Sequence, residues 1–381
     1  MRVSCLQENL AKGLSIVGRA VATKSTLPVL SNILLATDEG RLKLAATNLE
    51  LAVVTWIGAK VEDEGAITVP ARLLAEFVTS LPNDRIDMDL NVRTHTLHMA
   101  CARSEANIKG IDATEFPPIP TVGGEGEATA TVKIEPDLLR EVIGQVAFAA
   151  ATDESRPVLA GVLVSFGDSE LTMAATDGFR LSVRTARLPV SAPQKIDVLV
   201  PARTLNEVAR LAADEKDPIE MTVTPNKSQI LFHMSNIDLV SRLIEGTFPN
   251  YRHIIPQSFK TRSVLSTSDF LNAARRASFF AREAANIIRL TIQPGEEMVP
   301  GRVSVTATSA EVGDNVNDID AVVEGEGITI AFNARYLTEV LGALTSQKVG
   351  LETNTPTNPG VLKPVGDDGF IHVIMPLQLP K

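Results

Sequence analysis

One sequence pattern occurs three times along the chain, and this repetition constrains the fold more than any other feature. The pattern is TVPARLL at 68–74, LVPARTL at 199–205 and AFNARYL at 331–337. Its arginines, Arg72, Arg203 and Arg335, are separated by 131 and 132 residues. Self-similarity at a fixed period indicates a tandemly repeated structural unit.

Two shorter patterns keep the same order and nearly the same period. Ala-Thr followed by a polar residue occurs at 46–48, 175–177 and 307–309. Phe-Pro occurs at 116–117 and 248–249, each time shortly before Ile-Pro, and the last repeat ends at Met375-Pro376. Three patterns in one order are hard to obtain by chance, so the repeat extends over the whole chain.

Each repeat is far longer than a solenoid unit of roughly 20 to 50 residues, so each is expected to be a domain with its own core. We place domain 1 at residues 1–121, domain 2 at 128–252 and domain 3 at 260–381. Segment 122–127, VGGEGE, has the glycines and charges of a linker. The second boundary, around 257–261, is less clearly marked in the sequence.

The repeated Pro-Ala-Arg pattern predicts the start of a helix. Pro70 and Pro201 suit the first helical position, where no amide hydrogen bond is lost, and Asn333 suits an N-cap in the third repeat. The apolar residues that follow at helical spacing are Leu73, Leu74, Phe77, Val78 and Leu81, then Leu205, Val208 and Ala209, then Leu337, Val340, Leu341 and Leu344. A second helix is predicted before each of these, at about 8–22, 136–150 and 269–285.

The remaining sequence predicts strands. Phe179, Leu181 and Val183 alternate with polar residues, which is the period-two pattern of a half-buried strand. Pro225-Asn226 predicts a turn between two such runs. Two helices and several strands per repeat predict an α+β architecture, with three tandem copies of one domain whose helices pack on antiparallel sheets.

The composition excludes several classes of protein. Two cysteines, Cys5 and Cys101, cannot form a framework of disulfides, which is typical of a chain made for the reducing cytoplasm. No run approaches the roughly 18 apolar residues of a membrane span, and charges interrupt the apolar part of 1–22, so we expect neither a membrane protein nor a signal peptide. The formal net charge of −10 argues against simple adhesion to phosphates.

No catalytic or metal-binding motif is present, so we expect no enzyme, no cofactor and no metal. No glycine is followed by lysine, which excludes a phosphate-binding P-loop, and no G-x-S-x-G element occurs. His95 and His98 are an odd number of residues apart on a predicted strand and would point to opposite faces. Two alternatives stay open from the residues alone: an enzyme whose repeats frame a cleft, and an adaptor that binds proteins but never DNA.

Five segments of the chain carry a family resemblance. They are TLPVL at 26–30, ATDGFRL at 175–181, VPAR at 200–203, FPNYR at 248–252 and VIMPL at 373–377. In their order and spacing the chain resembles the beta subunit of bacterial DNA polymerase III, the sliding clamp, over essentially its whole length. The resemblance implies three clamp domains per chain, with helices inside and sheets outside, and a six-domain ring closed by head-to-tail dimerisation.

The resemblance also implies a processivity factor that encircles duplex DNA and tethers the polymerase III catalytic subunit, the clamp loader and other clamp-motif proteins. A ring holds DNA by topology and needs only weak contacts, which answers the objection from net charge. The cations expected to face DNA lie on or beside the predicted helices: Lys12, Arg19, Lys24, Arg72, Arg140, Arg203, Arg210, Arg275, Arg276, Arg282 and Arg335. The alternative for each is a solvated helix face, and Glu135, Asp137 and Glu141 make the lining mixed.

A hydrophobic pocket between domains 2 and 3, which accepts short linear peptides, is a further implication of the resemblance. Carried over by motif, one wall comprises Leu159, Thr176, Gly178, Phe179, Arg180 and Leu181, and the other comprises Pro249, His253, Ile254, Val373, Met375, Pro376 and Leu377. Methionine and leucine suit a cleft that has to accept leucine and phenylalanine anchors. The alternative for the Met-Pro-Leu segment is ordinary strand packing.

The chain departs from the family pattern at a few positions. Phe179 stands where histidine is frequent, Gln378 where arginine is usual, and Pro380-Lys381 extend past the usual end. We therefore expect its peptide preference to differ from that of relatives. The segment 153–158 lacks the tyrosines that some relatives place near DNA.

For ring closure the resemblance points to Phe279 and Phe280 of domain 3, which would meet Ala106 and Ile108 on domain 1 of the other chain. Adjacent phenylalanines on a helix cannot face one core equally, which favours burial at a second surface. A wide core stripe is the alternative.

Overall fold

The computed structural model describes residues 1–120, 130–153, 155–188, 195–283, 285–297 and 299–378. The expected linker at 122–127 and the Pro380-Lys381 extension lie outside these residues. The described chain forms α-helices and antiparallel strands in every repeat. The predicted α+β architecture is confirmed.

The described helices come two to a repeat. They are α1 (Gln7–Val17), α2 (Ala71–Ser80), α3 (Pro136–Val146), α4 (Ala202–Leu211), α5 (Thr267–Ala281) and α6 (Ala334–Ala343). The predictions of helices at about 8–22, 136–150 and 269–285 are confirmed by α1, α3 and α5. Short 3-10 turns continue α1 as far as Ala20 and α3 as far as Ala149.

The strands recur in the same way. The first repeat contains β1 (Arg2–Leu6), β2 (Asn32–Asp38), β3 (Arg41–Thr47), β4 (Leu51–Ile57), β5 (Lys60–Asp63), β6 (Ala66–Pro70), β7 (Arg85–Asn91), β8 (Thr96–Cys101) and β9 (Ser104–Lys109). The second contains β10 (Ala130–Ile134), β11 (Gly161–Gly167), β12 (Glu170–Thr176), β13 (Arg180–Arg187), β14 (Ile196–Pro201), β15 (Ile219–Val223), β16 (Gln229–Met234) and β17 (Ile237–Arg242). The third contains β18 (Thr261–Ser266), β19 (Ile287–Gln293), β20 (Gly301–Ser309), β21 (Gly313–Gly325), β22 (Ile328–Asn333), β23 (Lys348–Thr353), β24 (Gly360–Pro364) and β25 (Phe370–Ile374).

The chain divides into two compact units. Unit 1 comprises residues 1–137 and 207–243, and unit 2 comprises residues 138–206 and 244–381. Unit 1 holds a five-stranded sheet of order β5-β1-β7-β8-β9 and an eight-stranded sheet of order β10-β15-β16-β17-β4-β3-β2-β6. Unit 2 holds a twelve-stranded sheet of order β14-β11-β12-β13-β25-β24-β23-β18-β21-β20-β19-β22. Strands of different repeats thus pair within each unit, β4 with β17 and β13 with β25.

The Pro-Ala-Arg pattern joins a strand to a helix, but the helix begins one residue later than predicted. Pro70 ends β6 and is the N-cap of α2, and Pro201 ends β14 directly before α4. The ψ of Pro70 is 117°, an extended value that belongs to the strand. In the third repeat Asn333 is the N-cap, as predicted, and its side chain accepts a hydrogen bond from Arg335 N at 2.9 Å.

Each described helix buries one face, with one departure from the prediction. On α2, Leu74 and Val78 are fully buried, whereas the side chain of Leu73 is 52% exposed. Successive helical positions are about 100° apart, so two adjacent leucines cannot point into the same core. In unit 2, α5 turns alanines such as Ala273 and Ala277 toward α6 and the sheet, which allows close packing.

The strand predicted around Phe179 begins at Arg180, and its polar face is not exposed. Arg180, Ser182 and Arg184 are all buried, as are the apolar residues between them. β13 is an interior strand between β12 and β25. The predicted strand is confirmed by β13, but side chains from other elements cover its polar face, so neither face is exposed.

Two local predictions had different outcomes. The turn at Pro225-Asn226 is confirmed, since Lys227 N donates to Thr224 O over 2.9 Å between β15 and β16. His95 is not on a strand, because its φ of 46° places it in a left-handed turn before β8, which carries His98. In the described chain no group of three or more His, Cys, Asp or Glu could hold a metal. None of the described helices has the length and apolarity needed to cross a membrane.

Candidate functional site

A tight turn between β12 and β13 forms the frame of the candidate pocket in unit 2. Thr176 Oγ1 donates to Arg180 O over 2.6 Å and accepts from Gly178 N over 3.1 Å. Asp177 Oδ1 accepts from Phe179 N at 2.9 Å and from Arg180 N at 3.0 Å. The φ of Gly178 is +94°, a left-handed value that favours glycine. Side-chain hydrogen bonds to the backbone therefore fix the turn, which is typical of Asp and Thr in such positions.

The turn borders a cavity of about 150 Å³. Ten of the thirteen residues predicted for the peptide pocket line this cavity: Leu159, Thr176, Gly178, Phe179, Arg180, Leu181, Pro249, Ile254, Val373 and Met375. The other three, His253, Pro376 and Leu377, do not line it. His253 is exposed on a 3-10 turn, and Leu377 N donates to Ala331 O over 2.9 Å.

The cavity has a buried floor and an exposed apolar rim. Leu181 and Val373, which face each other across the β13–β25 pair, are each only 1% exposed. At the rim, Phe179 is 59% exposed, Ile254 41% and Met375 40%. Large apolar side chains that converge on one opening are typical of a binding surface.

Beneath the pocket, the Arg180 guanidinium is almost completely buried and fully engaged. It donates through Nε to Asp177 Oδ2 over 3.1 Å, through Nη1 to Glu339 of α6, and through Nη2 to the carbonyl of Phe148. It also lies over the ring of Tyr336, 4.4 Å from the centroid. A buried charge is tolerated only with such partners, so Arg180 supports the pocket from below.

Sequence reasoning placed Arg180 in the pocket but missed its partners. Asp177 lies within the ATDGFRL motif, and its side chain was a detectable signal for a turn. Glu339 and Phe148 could not be recognised as partners from the sequence, because they lie 159 and 32 residues from Arg180. Glu339 is also shared, since its second oxygen accepts from Arg335 Nε over 2.8 Å.

His372 occupies the same buried layer. Its side chain is fully buried, Nδ1 lies 2.6 Å from Ser182 Oγ, and the ring stacks on Phe148 at 5.5 Å. Burial, together with the nearby positive charge of Arg180, lowers the pKa of His372 to about 3. The imidazole is therefore neutral at physiological pH, which spares this layer a second cation beside Arg180.

A pH dependence of stability follows from His372. The unfolded chain takes up the proton near pH 6.5, whereas the folded chain resists it until about pH 3, so stability falls as the pH drops below 6.5. Between pH 7 and pH 5 we expect this group alone to remove about 2 kcal/mol from the free energy of unfolding. Urea denaturation at both pH values measures the loss. His372→Gln should reduce this pH-dependent loss, whereas the control His253→Gln, at an exposed position, should leave it unchanged. If both variants lose the same free energy of unfolding between pH 7 and pH 5, His372 is excluded as the cause.

The cations predicted to face DNA are distributed over all six helices and their flanks. Eight lie within helices that the structure describes, namely Lys12, Arg72, Arg140, Arg203, Arg210, Arg275, Arg276 and Arg335. Arg19 is in the 3-10 turn after α1, Lys24 is in the following loop, and Arg282 is the C-cap of α5.

Several of these cations are paired with nearby carboxylates. Lys12 Nζ lies 3.1 Å from Asp214 Oδ2, and Arg19 Nη1 lies 3.7 Å from Glu207 Oε2. Arg210 is also paired with Glu207, and Arg72 pairs with Glu76 one turn further along α2 at 2.8 Å. Such neighbours partly neutralise the cations, which favours weak rather than tight contacts with phosphates.

The residues predicted for ring closure are in two different environments. β9, which carries Ala106 and Ile108, is an edge strand of its sheet, and Ile108 is only 3% exposed. On α5, Phe280 packs against the core of unit 2, whereas Phe279 is 62% exposed. The pair of phenylalanines therefore divides between the core and the surface, and Phe279 and the backbone edge of β9 are left available.

The comparisons with known proteins cover the whole chain. Models of the DNA polymerase III beta subunit match here in three parts: the N-terminal domain at 1–120, the central domain at 133–250 and the C-terminal domain at 252–378. The beta sliding clamp of Synechococcus elongatus is 33% identical over 382 residues, with 100% of both chains covered. That of Bacillus subtilis is 28% identical, covering 99% of this chain and 100% of the relative.

Solved structures agree with these relatives. A DNA polymerase sliding clamp from Bacillus subtilis has a TM-score of 0.92 at 27% identity, and each chain is covered completely. A sliding clamp from Pseudomonas aeruginosa, solved bound to griselimycin, has a TM-score of 0.90 at 26% identity, again over 100% of both chains. The prediction of three tandem clamp domains is thus confirmed. The chain belongs to the DNA polymerase III beta subunit family, the beta sliding clamps, which are non-catalytic processivity factors of DNA replication.

Proposed function

We propose that the pocket in unit 2 binds short linear peptides of the polymerase III catalytic subunit, the clamp loader and other clamp-motif proteins. The observation that carries this proposal is the apolar cavity with its buried floor and its exposed rim of Phe179, Ile254 and Met375. A preformed cleft of this kind accepts the apolar anchors of an extended segment, and its rim excludes water around them.

The size and chemistry of the cavity support a peptide rather than a folded partner. Its volume is about 150 Å³, and nearly all its accessible lining is apolar. Only one or two side chains can enter such a space, so leucine and phenylalanine are suitable anchors. Phe179 adds an exposed aromatic face at the rim. We therefore propose a preference for peptides with an aromatic or long aliphatic anchor.

Removal of the rim aromatic side chain tests the pocket. Phe179→Ala should weaken binding of a fluorescent leucine–phenylalanine peptide by roughly 10- to 30-fold, because rim aromatics of this kind are frequent hot spots. Fluorescence anisotropy measures the affinity. The matched control is Phe259→Ala, which removes a phenylalanine that is 40% exposed outside the pocket. If the control weakens binding equally, or Phe179→Ala leaves it unchanged, the peptide binds elsewhere.

Two chains, in our proposal, close head to tail into a ring around duplex DNA. Phe279 on α5 and the free edge of β9 support the closure, since an exposed aromatic residue and an unpaired strand edge are both suited to a second chain. Ala106 lies on that edge, and Ile108 would contribute through its backbone because its side chain is buried. The six helices, with their partly neutralised cations, would face the DNA.

A topological mode of binding predicts a dependence on DNA ends. Rings loaded by a clamp loader onto a closed circular duplex should remain bound through gel filtration, and they should be lost after a restriction enzyme cuts the circle. Because several of the expected lining cations are already paired, contact with phosphates alone should not retain the protein at physiological salt. Equal retention on circular and linear DNA would exclude the topological mechanism.

The domain limits and the cellular location also belong to this proposal. Domains at 1–121, 128–252 and 260–381 are supported by the three-part match to the family. A cytoplasmic location is supported by the state of the thiols. Cys5 and Cys101 are free and buried, and burial, with a contribution from Asp87, raises the pKa of Cys5 to about 12. Such thiols are unreactive and need no oxidising compartment.

A further inference from the structure

The turn that frames the pocket of unit 2 has a twin in unit 1. Thr47 Oγ1 donates to Leu51 O over 3.1 Å and accepts from Leu49 N over 3.0 Å. Asn48 Oδ1 accepts from Glu50 N at 3.0 Å and from Leu51 N at 2.8 Å. These are the hydrogen bonds of the unit 2 turn, formed by the corresponding atoms. The threefold repeat has therefore preserved a backbone frame as well as a sequence pattern.

The strand pairing beside this frame is duplicated too. Ala52 faces Val240 across the β4–β17 pair, and Arg242 N donates to Glu50 O over 2.8 Å. The corresponding contacts at the same register positions join β13 to β25 beside the pocket of unit 2. A second groove thus has the same backbone walls as the first.

This second groove encloses a cavity of about 200 Å³. Its lining comprises Thr47 and residues 49–52 of the turn, the proline-rich segment 117–120, Gln229, and the strand residues Val240 and Arg242. Pro117 corresponds to Pro249 of the unit 2 pocket through the repeated Phe-Pro pattern. The prolines present apolar rings and no amide donors, so this wall suits an apolar side chain.

The side chains on the shared frame differ, and one difference points to use by a ligand. Leu49 occupies the position of Gly178, yet its φ is +73° and its side chain is 49% exposed. A leucine rarely adopts this left-handed conformation, because its Cβ crowds the backbone. A strained residue that also holds an aliphatic side chain in solvent indicates that the side chain serves a contact.

The second difference concerns charge. Arg242 occupies the position of Met375, and it is exposed at the mouth of the cavity. Glu50, at the position of Phe179, is also exposed on this lining, so the rim carries one cation and one carboxylate where the unit 2 rim is apolar. Among the residues that the structure describes, the guanidinium of Arg242 forms no hydrogen bond or ion pair. A partner with a carboxylate next to its apolar anchor would complement it, since guanidinium binds carboxylate through a planar pair of donors.

We propose that the groove in unit 1 is a second peptide site, which takes a linear segment with an aliphatic side chain against Leu49 and the prolines and a carboxylate against Arg242. This proposal rests on the proposed peptide pocket of unit 2, because it is the shared frame that gives the second groove its walls. The two sites would select different partners, an aromatic-anchored peptide in unit 2 and an acidic aliphatic peptide in unit 1.

Photo-crosslinking with defined peptides tests the proposal on the full-length protein. The acidic probe is acetyl-Ser-Leu-Asp-Gly-Ser-amide with a diazirine analogue of leucine, and its matched control carries Asn in place of Asp. A leucine–phenylalanine peptide with the same photoreactive group reports on the unit 2 pocket. After irradiation and proteolysis, mass spectrometry identifies the labelled segments. We expect the acidic probe to label 47–52 or 117–120, and the leucine–phenylalanine probe to label 176–181 or 373–375.

Two variants make the expected result specific. Arg242→Gln keeps the backbone contacts and should lower labelling of the unit 1 groove by the acidic probe roughly fivefold, the upper range for one exposed ion pair. Leu49→Gly should raise the melting temperature by relieving strain while it lowers the same labelling. A substitution that lowered labelling only by destabilising the fold would lower the melting temperature, not raise it. Neither variant should change labelling of the unit 2 pocket.

The possible failures are distinguishable. If the acidic probe labels only the unit 2 pocket, or labels the unit 1 groove as strongly in Arg242→Gln as in the parent, the second site is overturned and the proposed function stands. If the leucine–phenylalanine probe fails to label the unit 2 pocket, the proposed function itself is overturned, and the second site falls with it.

Discussion

Glu339→Ala is expected to lower the free energy of unfolding by about 3 kcal/mol, because it leaves the buried guanidinium of Arg180 without one of its charged partners. The side chain of Arg180 is only 4% exposed, so water cannot replace the lost carboxylate. We also expect peptide affinity at the unit 2 pocket to fall severalfold, since Arg180 supports the pocket from below. Urea denaturation and peptide anisotropy measure the two effects.

The repeat supplies a matched control for this prediction. Glu76 accepts from Arg72 four residues earlier on α2, as Glu339 accepts from Arg335 on α6. Arg72 is exposed, so Glu76→Ala should lower the free energy of unfolding far less than Glu339→Ala does. Equal losses in Glu76→Ala and Glu339→Ala would show that the buried pair has no special role.

Phe279→Asp is expected to convert the ring into monomers. A ring of two chains has two identical interfaces, so each substitution acts twice. A loss of about 2 kcal/mol at each interface, typical of an aromatic hot spot, would raise the dissociation constant of the dimer roughly 1000-fold. Sedimentation velocity over a dilution series measures this change, and loaded rings should also be lost from circular DNA.

Two controls separate the interface from general damage. Phe259→Asp places the same charge at another exposed phenylalanine of unit 2 and should leave the dimer intact. Circular dichroism should show Phe279→Asp folded, because the side chain is 62% exposed in the chain. A dimer of unchanged affinity would remove Phe279 from the interface.

Regular features of the chain could be predicted from the sequence because their causes are local. The helix starts follow from proline, an N-cap asparagine and apolar spacing, all within about a turn of one another. The tandem architecture follows from the period of the repeat. Seven of the ten pocket residues converge on one cavity because their motifs lie at the ends of β12 and β25 and in the turn that leads into β13. The other three, Leu159, Pro249 and Ile254, lie outside these strands and their turn.

The errors arose where burial depends on distant elements. The alternation around Arg180 resembles a half-exposed strand, but Glu339, Phe148 and Asp367 cover its polar face from far along the chain. Leu73 satisfies an apolar pattern although its direction on α2 is outward. The ion pairs of the candidate DNA-facing cations could not be predicted from the sequence either. Their partners Asp214 and Glu207 lie about 200 residues from Lys12 and Arg19.

The continuity of the twelve-stranded sheet in unit 2 has a mechanical consequence. β13 and β25 come from different repeats, yet five residues of each are in register and the sheet runs through them without a break. To part these strands would rupture a row of main-chain hydrogen bonds and expose the neutral imidazole and paired guanidinium layer behind them. The β4–β17 pair of unit 1 is likewise five residues in register within a continuous sheet. In a ring of two chains we therefore expect opening to occur away from both strand pairs.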